Sequence, residues 1–481
     1  MPQTFTFFVK AKFVCILLIA CTASVVAQQT FRKSIGSSGF EKGSALKLLP
    51  GQGFIIGGET ESFGLDERDM LLLRTDTNGN VLWSKSYGGA ERETVNDVLQ
   101  LPDGGFMMTA EKYQPHKQEG ENLTLLKTDD KGNLVWKKIY DEGGNETEGF
   151  SMQQTPEKNY IIAGMVKNMT MISDAFFSMS AEDQGMYLLK VDGNGGKLWS
   201  RRFDYGADNV SSTGTSVLVA ADGTYMVTGN IAKQGKTDKK IERPAQNVNM
   251  ADVRNMLLAK VKPNGNLQWA REYSANSITM GYNIIEQKGG GFLVAGNTNV
   301  TATNMDIFLT SLGADGSILW SKTYGGQKFE SVADVVQTPD GGFVLSGLTQ
   351  GLGNGSLDAL VFKVDAKGNI VWSKCFGTKN EEMPSKLALT PSGIVLLGAT
   401  AGPKSQSFDV MLVKMDWNGN SACFGTNVTL TSAKLNATMQ KADKAKMTEV
   451  EQGIMPPNMA KPDVGNVKEN KRETKTVNLC D

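Results

Sequence analysis

Apolar and polar positions alternate along most of this chain in short runs, and turn residues separate the runs at regular intervals. Residues 360–377 show the unit most clearly: LVFKVDAKGNIVWSKCFG. An apolar strand leads into a tight turn of Asp, Gly and Asn, and a second strand follows with an aromatic residue near its start. The same grammar recurs as LLLRTDTNGNVLWSKSYGG from Leu71, LLKTDDKGNLVWKKIY from Leu125, LLKVDGNGGKLWSRRF from Leu188, LLAKVKPNGNLQWAREY from Leu257, FLTSLGADGSILWSKTYGG from Phe308 and MLVKMDWNGNSACFG from Met411. Runs this short, rich in β-branched and aromatic residues and bounded by Gly, Asp, Asn and Pro, predict strands. Gly and Asn tolerate the positive φ that a tight hairpin turn requires.

The aromatic position is a ruler. It falls at Phe31, Trp83, Trp136, Trp199, Trp269, Trp320 and Trp372, with Cys423 in the same slot at the end, at spacings of 52, 53, 63, 70, 51, 52 and 51 residues. A second landmark lies between these anchors: GQGFIIGG at Gly51, DGGFMMTA at Asp103, EKNYIIAG at Glu157, DGTYMVTG at Asp222, GGGFLVAG at Gly289, DGGFVLSG at Asp340 and PSGIVLLG at Pro391. Each unit then holds four strands, typified by SVADVVQT, GFVLSG, DALVFKVD and NIVWSKCF. Four strands at this period describe a propeller blade, and seven units predict an all-β, seven-bladed β-propeller of four-stranded antiparallel blades. The fourth strand has eight copies and the others seven. The surplus copy, Phe31-Arg32-Lys33-Ser34-Ile35, is expected to pair beside residues 409–415 in the last blade and close the ring, which removes exposed strand edges. The degraded copy at Cys423 is its rival for that slot.

The Asp-x-x-Gly-x-x-x-Trp ending of the units resembles the repeats of secreted bacterial β-propellers. It is also similar to the tryptophan-docking repeat of quinoprotein dehydrogenases. The resemblance spans about residues 31–426 and rests on structural positions. Quinoprotein enzymes carry eight blades and an adjacent Cys-Cys pair beside the cofactor; this chain has seven units and no adjacent cysteines. No functional residue of that family carries over, and no cofactor is expected.

Composition narrows the picture. The 481 residues carry 50 Lys and Arg against 51 Asp and Glu, so no basic excess supports nucleic-acid binding. The 53 glycines fall at the turns. Residues 1–27 read as an export signal: Lys10 and Lys12 precede the apolar run 13–20, and Val25-Val26-Ala27 offers small residues at a cleavable boundary. The run is shorter than the ~20 residues of a membrane-spanning helix. A rival reading is a lipoprotein box, Leu18-Ile19-Ala20-Cys21, with Cys21 lipidated and the membrane reached only through that anchor. Ordinary cleavage is preferred because the apolar run continues past Cys21 and repeat structure starts at Phe31. Both readings export the protein to the extracellular space or the cell surface. Removing residues 1–27 takes away two lysines and moves the formal charge from −1 to −3. Of five cysteines, Cys375, Cys423 and Cys480 remain in an exported chain. Cys423 and Cys480 allow one disulfide. The single His116 and the absence of CxxC argue against a zinc site. The propeller is expected over residues 28–426, and residues 427–481, polar and Lys-rich with three prolines, as a tail that is flexible or loosely packed on the ring.

Candidate chemistry falls into five constellations. The anchors Trp83, Trp136, Trp199, Trp269, Trp320 and Trp372 share one structural slot and are expected to pack between blades, since one ligand cannot use them all. Two positions later stands a basic residue (Lys33, Lys85, Lys138, Arg201, Arg271, Lys322, Lys374), on the same strand face as the anchor. Its stem is expected to cover apolar surface and guard the outer strand from other chains. The Asp-x-x-Gly-Asn turns at Asp76, Asp192, Asp365 and Asp416 hint at calcium, but each offers one or two carboxylates, so a hairpin turn is the better reading and no metal is expected there. Ten residues after the anchor lies an acidic position: Glu41, Glu93, Glu146, Glu330 and Glu382, with Asn209 and Thr279 in the other units. Five carboxylates converging on the channel mouth would bind a cation or a basic ligand; the competing role is hydrogen bonding to local backbone N–H groups. Finally, the loop between second and third strands expands in two adjacent units. One insertion is rich in Met and Phe (Met169, Met171, Phe176, Phe177, Met179), the other in basic residues (Lys233, Lys236, Lys239, Lys240, Arg243). Loops on a rigid scaffold carry binding residues, and insertions in repeats map to one face.

No nucleophile elbow, HExxH or phosphate loop is present. The sequence therefore points to a non-catalytic binding module that takes a protein or glycan on its loop face. The alternative is a glycan lyase or hydrolase with Glu93, Glu146 and Glu330 as acid/base residues. An enzyme would show a deep pocket and a carboxylate of strongly raised pKa.

Overall fold

The computed structural model describes residues 30–450, apart from loops at 63–67, 90–91, 114–121, 144, 168–169, 174–175, 179–183, 206–209, 234–252, 302, 403–406 and 422–424, together with residues 468–470 and 475–478. Every regular element among them is a β-strand, and the strands form seven antiparallel blades in a ring. Blade 1 runs Glu41–Leu49, Gly53–Thr60, Asp69–Thr75 and Val81–Gly88. Blade 2 runs Arg92–Gln100, Phe106–Tyr113, Leu123–Thr128 and Leu134–Tyr140. Blade 3 runs Glu146–Gln154, Tyr160–Lys167, Gln184–Val191 and Lys197–Asp204. Blade 4 runs Val210–Val219, Tyr225–Lys233, Val253–Val261 and Leu267–Ser274. Blade 5 runs Thr279–Glu286, Phe292–Asn299, Met305–Leu312 and Ile318–Gly325. Blade 6 runs Glu330–Gln337, Phe343–Thr349, Asp358–Val364 and Ile370–Phe376. Blade 7 takes Glu382–Thr390, Gly393–Ala401 and Phe408–Met415 from the end of the repeat region, and Phe31–Gly36 from its start.

The closure matches the expected pairing: Ser34 lies opposite Met411 and Ile35 opposite Val410. The first strands of successive blades touch one another around the axis. Each bulges by one residue near its middle, between Gly43 and Ala45 in blade 1 and at the same place in the others. A bulge adds twist and re-aims the strand. The bulged residues latch neighbouring blades. Asn96 donates to Gly149 O at 3.0 Å, Thr215 to Gly281 O at 2.9 Å and Ser385 to Gly43 O at 2.8 Å. Middle strands read as continuous buried runs because both faces are covered by neighbouring blades. The apolar core is accordingly seven separate clusters, one at each blade interface.

The segment from Thr426 on packs against the outside of the ring. It forms short strands that add a fifth member to six blades, in the order blade 6, 5, 4, 3, 1 and 7, against the direction of the repeats. Asn427, Lys434 and Lys441 pair with Lys374, Lys322 and Arg271, so this belt advances one blade every seven residues. The last described strand, Lys475–Asn478, pairs with the first, Phe31–Gly36, in blade 7. One to three apolar side chains per step hold the belt: Val428 and Leu430 at the blade 5–6 core, Leu435, Ala437 and Met439 at blades 4–5, Ala442, Ala445 and Met447 at blades 3–4 and Val450 at blades 2–3.

Candidate functional site

The two ends of the ring are built differently. At one end the third and fourth strands are joined by the Asp-x-x-Gly-Asn turns. Asp76 Oδ1 accepts from Asn78 N and Asn80 N at 2.8 Å each, and its Oδ2 accepts from Asn80 Nδ2 at 2.9 Å. Asp129, Asp365 and Asp416 repeat the pattern. These carboxylates are consumed inside their own turns. The anchor of the preceding blade rests on the turn glycine. A Cβ on Gly132, Gly195, Gly368 or Gly419 would fall within 3 Å of the indole of Trp83, Trp136, Trp320 or Trp372, and Phe31 meets Gly79 in the same way. Trp199 and Trp269 lie against Gly265 and Gly316.

The basic residue completes the joint. Lys33, Lys85, Lys322 and Lys374 donate from Nζ to the side chains of Asn80, Asn133, Asn369 and Asn420 at 2.9, 3.2, 2.7 and 2.9 Å. Lys138 reaches Asn194 O at 2.6 Å, while Arg201 and Arg271 cover the Trp199 and Trp269 rings. Four positions after the anchor, the hydroxyls of Tyr87, Tyr140, Tyr273 and Tyr324 donate to Gly132, Gly195, Gly316 and Gly368 O.

The other end carries the loops between second and third strands, the blade-to-blade links and the acidic positions. Glu41, Glu93, Glu330 and Glu382 begin or lie one residue into their first strands and are almost fully buried, Glu330 and Glu382 at 0% exposure. Glu93 pairs with Lys137 at 3.7 Å, and its Oε2 accepts no hydrogen bond among the described residues; the oxygens of Glu41, Glu330 and Glu382 are engaged locally. Ser37 N, Gly326 N and Thr378 N donate to Glu41, Glu330 and Glu382 at 3.0, 2.8 and 2.9 Å. Thr60, Thr349 and Thr400 donate across the strand pair at 2.9, 2.7 and 3.2 Å. Glu146 is partly buried and pairs with Lys167 at 3.4 Å, and Thr279 Oγ1 accepts from Ala275 N at 3.2 Å. Asn209 lies outside the described residues. Glu41, Glu330 and Glu382 thus serve as clasps on the blade-to-blade links.

A second carboxylate joins four of the glutamates. Asp69, Asp306, Asp358 and Asp409 begin the third strands or stand one residue inside them, and each faces the glycine that ends or follows the outer strand of its own blade. A Cβ on Gly88 would lie 2.0 Å from Asp69 Oδ1 and 2.8 Å from Glu93 Oε2; one on Gly36 would lie 2.1 Å from Asp409 Oδ1 and 2.9 Å from Glu41 Oε2. The absent side chain is what admits the acid pair. Burial, reinforced by Asp69 and opposed by Lys137, pushes the Glu93 carboxyl up to about 7. Burial beside Glu330 pushes Asp306 up to about 6. Burial also raises Glu330, Glu382 and Asp358. These third-strand aspartates carry a signal of their own in the sequence, because Asp-x-Leu or Asp-x-x-Leu recurs at each.

The acid pairs occupy four consecutive joints, from blade 5 round to blade 2. The insertions occupy the opposite arc, in blades 3 and 4. The first forms a two-stranded hairpin, Thr170–Ser173 with Phe176–Ser178, in which Met171 lies opposite Phe177. Met169, Met179, Lys236, Lys239, Lys240 and Arg243 lie outside the described residues, as do Cys21, His116, Cys423 and Cys480. At the base of the second insertion Lys233 pairs with the buried Glu272 at 2.5 Å, and Tyr205 and Asn255 donate to the same carboxylate.

Around the axis, Asp97 accepts from Met152 N at 3.0 Å and Asp334 from Leu387 N at 2.9 Å, so these channel acids also join blades. No group of three or more His, Cys, Asp or Glu side chains able to hold a metal gathers among the described residues. Cys375 is buried, and burial, with Asp358 and Glu382 adding, pushes its thiol up to about 12. It is an inert packing residue.

No protein-family model and no curated protein matches the chain. Among solved structures it is similar to a protein of unknown function from Bacteroides caccae, at 14% identity and a TM-score of 0.36 over 70% of this chain and 93% of that one. It is also similar to the polysaccharide lyase Uly1, at 10% identity and a TM-score of 0.47 over 78% of this chain and 90% of that one. A puromycin hydrolase matches at 13% identity and a TM-score of 0.44 over 83% of this chain but only 54% of its own length. Likenesses this distant carry no functional argument.

Proposed function

We propose that this propeller is a non-catalytic binding module, exported to the extracellular space or cell surface, that takes a protein or glycan on its loop face over blades 3 and 4. The observation that carries the reading is the division of that face. Buried acid pairs occupy one arc, and the variable insertions are rooted in the other. Binding residues belong on variable loops over a rigid scaffold. Glu41, Glu330 and Glu382 are spent on local hydrogen bonds and Glu93 and Glu146 pair with Lys137 and Lys167, which favours the insertions as the recognition surface.

One observation favours the enzymatic alternative. Glu93, with its carboxyl up at about 7, has the poise of a general acid. It is also 3% exposed and held between Asp69 and Lys137. The test is incubation of the full chain with a panel of immobilised glycans and surface-protein extracts, followed by product analysis. Retention without product is expected. Turnover that disappears in Glu93→Gln would replace the binding reading with a glycan-active enzyme.

A further inference from the structure

Blade 2 is the exception to the belt. Among the described residues its outer strand, Leu134–Tyr140, ends a four-stranded sheet, while the other six blades carry a fifth strand. An open edge strand is a template for another chain unless something guards it. The two lysines of this edge are engaged within the ring, Lys137 with Glu93 at 3.7 Å and Lys138 with Asn194 O at 2.6 Å.

The register of the belt says what belongs there. Three positions after each anchor, Cys375, Thr323, Glu272 and Arg202 lie opposite Thr426, Ala433, Gln440 and Thr448, in steps of 7, 7 and 8 residues. Beyond the gap, Ser86 and Ser34 lie opposite Asn470 and Val477, again 7 apart. One further step of 7 from Thr448 puts Met455 opposite Ile139 of blade 2. The links agree with this count. Val428 and Leu435 pack into blade cores three residues before the strands that begin at Thr431 and Thr438. Val450 packs against the blade 2–3 core in the same way, which sets the next start at Gly453. Ile454 then falls opposite Tyr140, as Met439 lies opposite Tyr273 and Met447 opposite Phe203.

The prolines mark where such pairing ends. Val428, Leu435 and Ala442 donate their N–H groups to Ser373, Ser321 and Ala270 O at 3.2, 3.0 and 3.2 Å as the belt leaves each blade. Pro457 takes that position for blade 2 and has no N–H to give. The donors needed before it are Gly453 and Met455. Pro456 lies at an alternate position, where an edge strand turns its N–H to solvent. From Met455 to Asn470 the chain spends 15 residues on one blade, about twice the usual step, and Pro456, Pro457 and Pro462 all lie in that stretch.

We propose that residues 453–455, which lie outside the described residues, form the fifth strand of blade 2, antiparallel to Leu134–Tyr140 with Met455 opposite Ile139. The chain itself then closes this edge and blocks strand addition by another protein there. The pairing is independent of what the loop face binds.

The test combines cross-linking with amide exchange on the full chain. Lys138→Cys/Pro456→Cys puts two thiols at directly opposed positions of the proposed register, and Lys322→Cys/Lys434→Cys does so at the equivalent pair of blade 5. Opposed residues in an antiparallel pair lie within disulfide reach. Both double variants should form the bond on oxidation, mapped by peptide mass spectrometry. In wild type the Ile139 amide should be protected. Replacing residues 452–457 by Gly and Ser should speed its exchange on the order of tenfold or more and leave Thr323, its counterpart in blade 5, unchanged. A disulfide in Lys322→Cys/Lys434→Cys alone would overturn the pairing, as would an unprotected Ile139 amide in wild type. Protection that survives the replacement would overturn it too, since another strand must then cover the edge.

Discussion

The indole of Trp83 lies so close to Gly132 of the next blade that a Cβ there would sit 2.8 Å from the ring. Gly132 also has φ +76°, a conformation that side-chain-bearing residues adopt at a cost. The residue is therefore constrained twice, by its own backbone and by its neighbour. Gly223 has a similar φ of +78° and nothing within 4 Å of its would-be Cβ. Gly223→Ala should cost about 1 kcal/mol from the backbone alone. Gly132→Ala should cost about 2–4 kcal/mol, because the indole must also move. Urea denaturation of the two variants measures the difference, and equal costs would mean that the tryptophan joint carries no strain.

Tyr324 donates to Gly368 O at 2.8 Å from a fully buried position. Phe203 and Phe376 fill the same slot in blades 3 and 6, so the ring packs without its hydroxyl. Tyr324→Phe should cost about 1 kcal/mol, the net worth of one buried hydrogen bond. A neutral result in the same denaturation assay would show that Gly368 O finds another donor.

Stability should fall as pH rises through the acid pairs. Glu93 and Asp306 have folded-state values of about 7 and about 6, above those of the unfolded chain. Such groups bind protons more tightly when folded. Their contribution is full below the unfolded values near 4, and it is lost as pH climbs to 7. For Glu93 the loss is on the order of 2–3 kcal/mol. Glu93→Gln should melt like wild type at pH 4 and above it at pH 8. A wild-type melting temperature flat between pH 4.5 and pH 8 would show that the carboxyls ionise freely in the fold.

The belt makes its own prediction. Leu435 is 8% exposed, packs into the blade 4–5 core and donates from its N–H to Ser321 O at 3.0 Å. Leu435→Ala should cost about 2 kcal/mol through the lost burial. Leu435→Pro should cost more, since it also removes the N–H. Amide exchange at Thr323 and Tyr324 should quicken in the proline variant. Unchanged exchange would mean that the belt does not protect the strand it pairs with.

The ring was legible because its determinants repeat. The turn glycine, the anchor and the basic residue each recur once per blade, so seven weak local signals add into one strong one. The acid row was half legible. The glutamate column stood out at a fixed distance from the tryptophan, but its burial depends on Gly88, Gly325 and Gly377 and on the aspartates opposite, which belong to a different column of the repeat. The tail was the least legible. Its apolar residues, Leu435 and Ala442 among them, fall at a spacing set by the distance between blades and by no helix or strand period. Residues 427–450 therefore look unpatterned until the ring is known.

The central functional claim is that the insertions recognise a ligand and the buried carboxylates only hold the scaffold. Binding and melting temperature should be measured together, with the retained glycan or protein as probe, for two variants. One has residues 168–183 and 234–252 replaced by short Gly-Ser turns; the other is Glu330→Gln. The account predicts that the loop variant loses binding and melts like wild type, while Glu330→Gln binds normally and melts at a different temperature. Full binding by the loop variant, with binding lost in a folded Glu330→Gln protein, would contradict it.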